Sequence, residues 1–332
     1  MNRHLSGATG SPVALSPEKF RDPDVTARGE ARARVALTAL DTLWFNTGTL
    51  CNITCASCYI ESSPTNDRLV YLAAAEVEAF LDEIAALDLG TREIGFTGGE
   101  PFMNPDFPAM LALALERGHE ALVLTNAMQP MQRPRVKQAL LDIGARFGDR
   151  LTLRVSLDHH SRELHEKERG ERTWARALAG MDWLAANGFR IAIAGRTCWG
   201  ESEEDARAGY ARLIAAHGWA IDAGKPGELV LFPEMDATAD VPEITTACWG
   251  ILGKSPGDVM CATSRMVVKR KGEDRPVVLP CTLLPYDADF EMGETLAASL
   301  KASGRMFEDG AVKLCHPHCA RFCVLGGASC SG

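Results

Sequence analysis

From about residue 40 to residue 240, short apolar runs and amphipathic stretches alternate six times, and few architectures accommodate that rhythm. Residues 43–45 (Leu-Trp-Phe) open it as a strand, and Val77, Phe80, Leu81, Ile84 and Leu87 then recur at helical spacing within 72–87. Further strands are predicted over 92–97, 120–125, 151–157, 189–194 and 228–232. Helices are predicted over 105–117, 134–146, 172–187 and 202–217, with Gly118 and Gly188 as stops. Strand followed each time by helix dictates parallel pairing through right-handed crossovers. The expected fold class is therefore α/β, with six units where a complete barrel has eight. The period alone leaves two arrangements open: a partial barrel and an open doubly wound sheet.

The two ends read differently. Residues 1–38 mix Pro, Gly, Arg and Asp without a period and are expected to be a partly disordered extension with a short helix near Glu30–Val35. Beyond residue 240, residues 266–269 and 276–279 flank Lys271-Gly272 as a β-hairpin, and a short helix is expected near 294–302. The domain organisation read this way is an extension (1–38), a core domain (39–240) and a small cysteine-rich domain (241–332). At 332 residues and 46% hydrophobic, the chain can bury a core without disulfide staples. No apolar run approaches the roughly 18 residues of a membrane span, and no apolar stretch follows Arg3 and His4 as a secretory signal requires. A net charge of −9 offers no dominant basic footprint, so neither nucleic acid nor membrane is an expected partner.

Eleven cysteines stand out, most of them in two groups. In a long chain without a signal, clustered cysteines read as metal ligands before disulfides. Cys51, Cys55 and Cys58 give Cys-x3-Cys-x2-Cys in the loop after the first strand. Three thiolates hold three irons of a four-iron, four-sulfur (4Fe-4S) cluster, whereas a saturated cluster takes four cysteines. The remaining iron is then open to another ligand, and open sites do chemistry. A zinc knuckle or three buried thiols is the alternative, although no fourth ligand follows closely.

Cys51 to Cys58, with the aromatic Tyr59 next to the last cysteine, resembles the signature of the radical S-adenosylmethionine (radical SAM) superfamily. Gly98-Gly99-Glu100-Pro101, at the end of the second strand, is similar to the segment with which that family contacts the methionyl amino group of SAM. Ser156-Leu157-Asp158, followed by His165-Glu166 and Arg169-Gly170, resembles a stretch of the peptide- and protein-modifying subgroup. The resemblance implies that Ser156 lies near the SAM ribose or carboxylate, and it adds Asp158 as a contact. Asn126 matches a Thr-Asn-Gly turn in which Ala127 replaces the glycine. Arg196, ending the fifth strand, either reaches a carboxylate of SAM or substrate or forms a surface ion pair. His159-His160 faces the pocket or a solvated loop, and Cys198 reads as a small buried apolar residue.

Cys261, Cys281, Cys315, Cys319, Cys323 and Cys330, with Gly272 between the first two, resemble the auxiliary-cluster extensions called SPASM and twitch domains. The tail spacing, Cys-x3-Cys-x3-Cys-x6-Cys, departs from their full two-cluster pattern. One auxiliary 4Fe-4S cluster needs four of these cysteines; two would recruit Cys248 as well, and both counts stay open. Zinc held by the tail, with His316 and His318 either as ligands or merely exposed, is the competing reading.

The resemblance, over about residues 40–330, implies a partial (β/α)6 barrel with a C-terminal β-hairpin/α auxiliary-cluster domain. It implies an oxidoreductase-type enzyme in which SAM bound to the open iron is reductively cleaved to methionine and a 5′-deoxyadenosyl radical that takes hydrogen from the substrate. It further implies a flavodoxin- or ferredoxin-like electron donor and a reducing cytoplasm. About 40 residues precede the first strand, where a leader-binding module needs roughly 80, a small domain. The expected substrate is therefore a small molecule or a short peptide taken without a leader. Thr282 follows Cys281 where sulfatase-maturing relatives carry an aspartate base. Two other functions stay in view: a leader-independent peptide maturase, and an iron–sulfur electron carrier that never cleaves SAM.

Overall fold

The computed structural model describes residues 14–233, 236 and 238–327. The helix expected near Glu30–Val35 is instead extended chain that ends in strand β1 (Arg34–Val35). Arg32 gives the reason. Its buried guanidinium pairs with Glu243 at 2.6 Å and donates to the carbonyls of Asp22, Val25 and Leu314. Those acceptors come from three parts of the chain, and an extended backbone lets one side chain reach them all.

The alternation then follows as expected, with β2 (Thr42–Asn46), α1 (Ala74–Ala86), β3 (Glu93–Thr97) and α2 (Phe107–Glu116). It continues through β4 (Glu120–Thr125), α3 (Pro134–Phe147) and β5 (Leu151–Ser156). Helix α4 (Arg162–Arg169) was not expected, because only His165 and Glu168 face inward and no apolar stripe marks it. Next come α5 (Thr173–Ala186), β6 (Arg190–Arg196), α6 (Glu203–His217) and β7 (Leu229–Phe232). Helix α6 shows how local sequence sets an end: Ser202 Oγ accepts from the Asp205 N–H at 3.0 Å, acids fill the first turn, and Gly218 closes the helix in the left-handed region.

Strands β7-β6-β5-β4-β3-β2 lie side by side in chain order, each parallel to the next. A doubly wound sheet reverses its strand order partway, and this one does not. The sheet is thus wound in one direction, as a partial barrel of the expected kind. Its β2–β3 side packs through aromatic rings, with Phe45 stacked on Phe96 at 5.8 Å and Phe107 meeting Phe96 edge-on at 5.3 Å.

The remaining elements are α7 (Cys248–Leu252), the hairpin β8 (Ser264–Val268) and β9 (Val277–Leu279), α8 (Leu296–Ser299), β10 (Phe307–Glu308) and β11 (Ala311–Lys313). The hairpin does not stand apart: β8 pairs in parallel with β2, so the main sheet reads on through β2-β8-β9. This covers the edge that β2 would otherwise leave open. A small antiparallel sheet, β1-β11-β10, ties the N-terminal segment to the cysteine-rich region. No helix among the described residues is long and apolar enough to cross a membrane.

His165 on α4 is fully buried against Trp174, and neither ring nitrogen has a partner among the described residues. Burial, then the neighbouring Arg169 charge, pushes it down from 6.5 to about 4. Below pH 6.5 the unfolded chain takes up a proton that the folded chain refuses, so stability falls as pH drops toward 4. The expected loss is about 2 kcal/mol at pH 5. His165→Leu should remove this acid-side slope; urea midpoints at pH 5 and 7.5 would show it, and equal slopes in both proteins would refute it.

Candidate functional site

Strands β2 to β7 run the same way, so their carboxyl ends share one opening. The Cys51–Cys58 loop leaves β2, Gly98-Gly99 follow β3, and Asn126 follows β4. Ser156 ends β5, Arg196 ends β6 and Phe232 ends β7. These residues surround a cavity of about 990 Å³, counting its mouth, and Asp158 lies on its wall as well. All three loop cysteines line it.

The cysteine loop is held by charge. Glu168 of α4 accepts from Ser57 N at 2.8 Å and Ser57 Oγ at 3.1 Å, while its own carbonyl accepts from Ala56 N at 2.8 Å. Arg196 Nη2, which lies 4.0 Å from the Glu168 carboxylate, donates to the Ser57 carbonyl at 2.9 Å. Asp158 in turn pairs with Arg169 through both carboxylate oxygens and lies 3.5 Å from Arg196 Nε. The surface ion pair considered for Arg196 is thus a buried one.

The two glycines serve close approach. Gly98 has φ +144°, and a Cβ there would lie 2.5 Å from the Gly48 carbonyl; one on Gly99 would lie 2.2 Å from that of Leu50. Only glycine lets this strap lie against the chain entering the cysteine loop. Glu100 is 2% exposed and is not among the wall residues. It accepts from Thr125 Oγ1 and Asn126 N at 2.8 Å each, and burial pushes its carboxyl up to about 7.

Burial pushes the Cys51 thiol up to about 12, with the Glu100 charge adding, and raises Cys55 as well. A cation or metal is what such thiols need to ionise. Donors are already aimed at the sulfurs: Ser62 N at Cys58 Sγ (3.4 Å) and Asn126 Nδ2 at Cys51 Sγ (3.9 Å). Two buried polar atoms of wall residues, Arg196 Nη1 and Ser62 Oγ, have no partner among the described residues. These observations fit a three-thiolate cluster with an anionic, polar ligand beside it.

Cys261, Cys281, Cys319 and Cys323 line a second, smaller pocket of about 280 Å³, counting its open mouth. Burial pushes Cys319 well up, and Cys281, Cys261 and Cys315 add to the shift, so these sulfurs feel one another. Cys315 does not line the cavity; its thiol donates to the Phe20 and Asp22 carbonyls at 3.3 and 3.5 Å. Cys330 lies outside the described residues. Cys248 accepts from Thr245 N at 3.3 Å, and Cys198 is half-buried rather than in the core. His318 is buried and His316 half-buried, so the exposed alternative for this pair does not hold.

A zinc ion would draw its thiolates to about 3.8 Å from one another. Among the described residues, no three thiol sulfurs gather within 4.8 Å; the group that does is His159, His160 and Glu201. There Ser161 N donates to His159 Nδ1, which puts the His159 proton on Nε2, already donated to Glu201. It is a hydrogen-bonded clasp, and neither histidine lines the cavity.

Sequence reasoning missed the apolar part of the wall: Phe232, Leu283 and Phe322. Phe322 sits in a π-helical segment, Cys319–Leu325, and Leu283 lies two residues after Cys281. Their nearness to cysteines was the available signal. Arg169 belongs to a sequence motif, but its place on the wall depends on Asp158, which only the fold brings near.

A parallel, singly wound partial barrel with three thiols and a glycine strap at its carboxyl edge defines a class of radical enzyme. The family model "Radical SAM superfamily" matches residues 45–234, more than half of the chain, and the protein belongs to that superfamily. It is a radical SAM enzyme, with SAM and a 4Fe-4S cluster as its cofactors. It is 31% identical over 144 residues to Fe-coproporphyrin III synthase of Methanosarcina barkeri (43% of this chain, 33% of the relative). It is 27% identical over 146 residues to the antilisterial bacteriocin subtilosin biosynthesis protein AlbA of Bacillus subtilis (43% and 30%). These matches span about a third of the length of each relative. The crystal structure of Streptococcus suis SuiB bound to precursor peptide SuiA superposes with a TM-score of 0.59 at 15% identity, over 81% of this chain and 66% of that one. That likeness is one of fold.

Asp158→Asn should leave Arg169 and Arg196 buried with their shared carboxylate neutralised. The expected cost is roughly 3–5 kcal/mol, read as a lower urea midpoint at unchanged slope. A midpoint within error of the parent would show that the pairing contributes nothing net.

Proposed function

We propose that Cys51, Cys55 and Cys58 hold the SAM-cleaving cluster and that the enzyme abstracts hydrogen from an apolar C–H group of a peptide or small molecule. The observation that carries this reading is the meeting, in one cavity, of three thiols, a buried arginine with an unpartnered Nη1, and an apolar wall. When bound there, cluster and SAM supply reductive cleavage of the sulfonium to methionine and a 5′-deoxyadenosyl radical. The rest is the work of this chain. Arg196 offers Nη1 to the SAM carboxylate, and the Gly98-Gly99 backbone lies where the amino group is received. Ser156 and Asn126 present polar side chains along the same wall, while Asp158 holds Arg169 and Arg196 in place. Glu100 acts from behind, fixing the Asn126 backbone through the hydrogen bond already described. Leu283, Phe232 and Phe322 exclude water from the substrate side.

A peptide is the favoured substrate class. SuiB is solved with a precursor peptide, and AlbA is named for bacteriocin biosynthesis. Cys261, Cys281, Cys319 and Cys323 hold one auxiliary 4Fe-4S cluster in this reading. A second cluster would draw on Cys315 and Cys330 and recruit Cys248 as well. Residues 39–240 then form the radical SAM core, 241–332 the auxiliary unit and 1–38 an extension, of which β1 pairs with β11. A flavodoxin- or ferredoxin-like carrier in a reducing compartment supplies the electron.

Anaerobically reconstituted protein with dithionite and SAM should release 5′-deoxyadenosine, and a Cys51/Cys55/Cys58→Ala variant should release none. Equal yields from both would remove the cluster assignment. Arg196→Met should weaken SAM binding by about 10- to 100-fold, the loss of a charged hydrogen bond. Titration calorimetry on reconstituted protein reads this, and unchanged affinity would take Arg196 out of the SAM site.

A further inference from the structure

Strand β8 carries a charge into the interior. Arg265 lies opposite Leu43 of β2, and none of it reaches solvent. Its Nη1 donates to the carbonyls of Cys261 (2.7 Å) and Ser264 (2.8 Å), its Nη2 approaches that of Gly310 at 3.4 Å, and its Nε has no partner among the described residues. Every acceptor is a neutral carbonyl. Arg32, buried almost as deeply, has Glu243, and the less deeply buried Arg169 has Asp158. No carboxylate pairs with Arg265 among the described residues.

An unpaired cation taken out of water costs several kcal/mol, and a guanidinium does not escape by losing its proton. A fold retains such a charge where an anion is present that the protein atoms alone do not display. The groups that feel Arg265 are the sulfurs of Cys261 and Cys281. These are two of the four thiols around the small cavity. Four thiolates around a cluster carry net negative charge, and one added electron makes it more negative.

We propose that Arg265 is the counter-cation of the auxiliary cysteine set and raises the reduction potential of the cluster held there. The inference rests on the reading that Cys261, Cys281, Cys319 and Cys323 hold that cluster. A fixed positive charge stabilises the reduced form more than the oxidised form, because the reduced form has one more negative charge to face it. No bond forms or breaks at Arg265 and no proton moves; one electron enters or leaves the cluster. Arg265 is thus a positioning residue for charge, which makes the cluster a better electron acceptor.

The test uses the full chain carrying Cys51/Cys55/Cys58→Ala, so that the remaining signal is the auxiliary one. Protein is reconstituted anaerobically with iron and sulfide, assayed for iron, and titrated with dithionite while the reduced-cluster EPR signal is followed. Arg265→Met should lower the midpoint potential, and Arg265→Lys, which keeps the charge, should stay closer to the parent. If Arg265→Met loses its iron while Arg265→Lys keeps it, the need for a charge is supported again. Arg265→Met with full iron and an unshifted potential overturns the proposal. So does loss of iron in both variants, which would make the role one of shape. If the parent itself takes up no iron, the auxiliary-cluster reading fails, and that outcome is separate from any effect of Arg265.

Discussion

The cysteine loop would have no fixed shape without the buried charges that grip it. Glu168 on α4 accepts from Ser57 N while Arg196 at the end of β6, 4.0 Å from that carboxylate, donates to the Ser57 carbonyl, and Asp158 joins Arg169 to Arg196. Each of these charges is buried, so each must be matched, and the matching leaves little freedom. Loop, helix and two strands are thereby locked in one arrangement. In that arrangement all three cysteines line one cavity.

The same logic links the two cavities. The π-helical segment carries Cys319 and Cys323 toward the small cavity and Phe322 into the large one. Cys281 and Leu283 divide in the same way. A change at those cysteines is therefore also a change in the wall of the large cavity. The hairpin that bears Arg265 is itself a continuation of the core sheet through β2, so the two parts share strand hydrogen bonds. The N-terminal segment closes the assembly by pairing β1 with β11 and by burying Arg32 against Glu243 and the Leu314 carbonyl.

Much of this was legible in the residues. Period and punctuation placed the six core strands and most helices within a few positions. Cysteine spacing and the Gly98-Gly99 turn pointed to residues that the fold does gather in one cavity. Helix α4 was not legible, since its inward residues are His165 and Glu168, and polar residues carry no apolar stripe. The segment around Arg32 was not legible either, because its extended form answers to partners far along the chain. Glu100 was placed on the wall by position in a motif, whereas the fold turns it onto Thr125 and Asn126.

What the sequence by itself determined was the repeating strand and helix, the parallel sheet that follows from it, and the chemistry of the thiols. These rest on local patterns, which a chain carries wherever it folds. Only the tertiary structure decided the winding direction of the sheet, the membership of the second cysteine set and the aromatic wall. It alone decided which buried charges have partners. Those features depend on groups brought together from distant positions, where burial removes water and forces each polar atom to find a match.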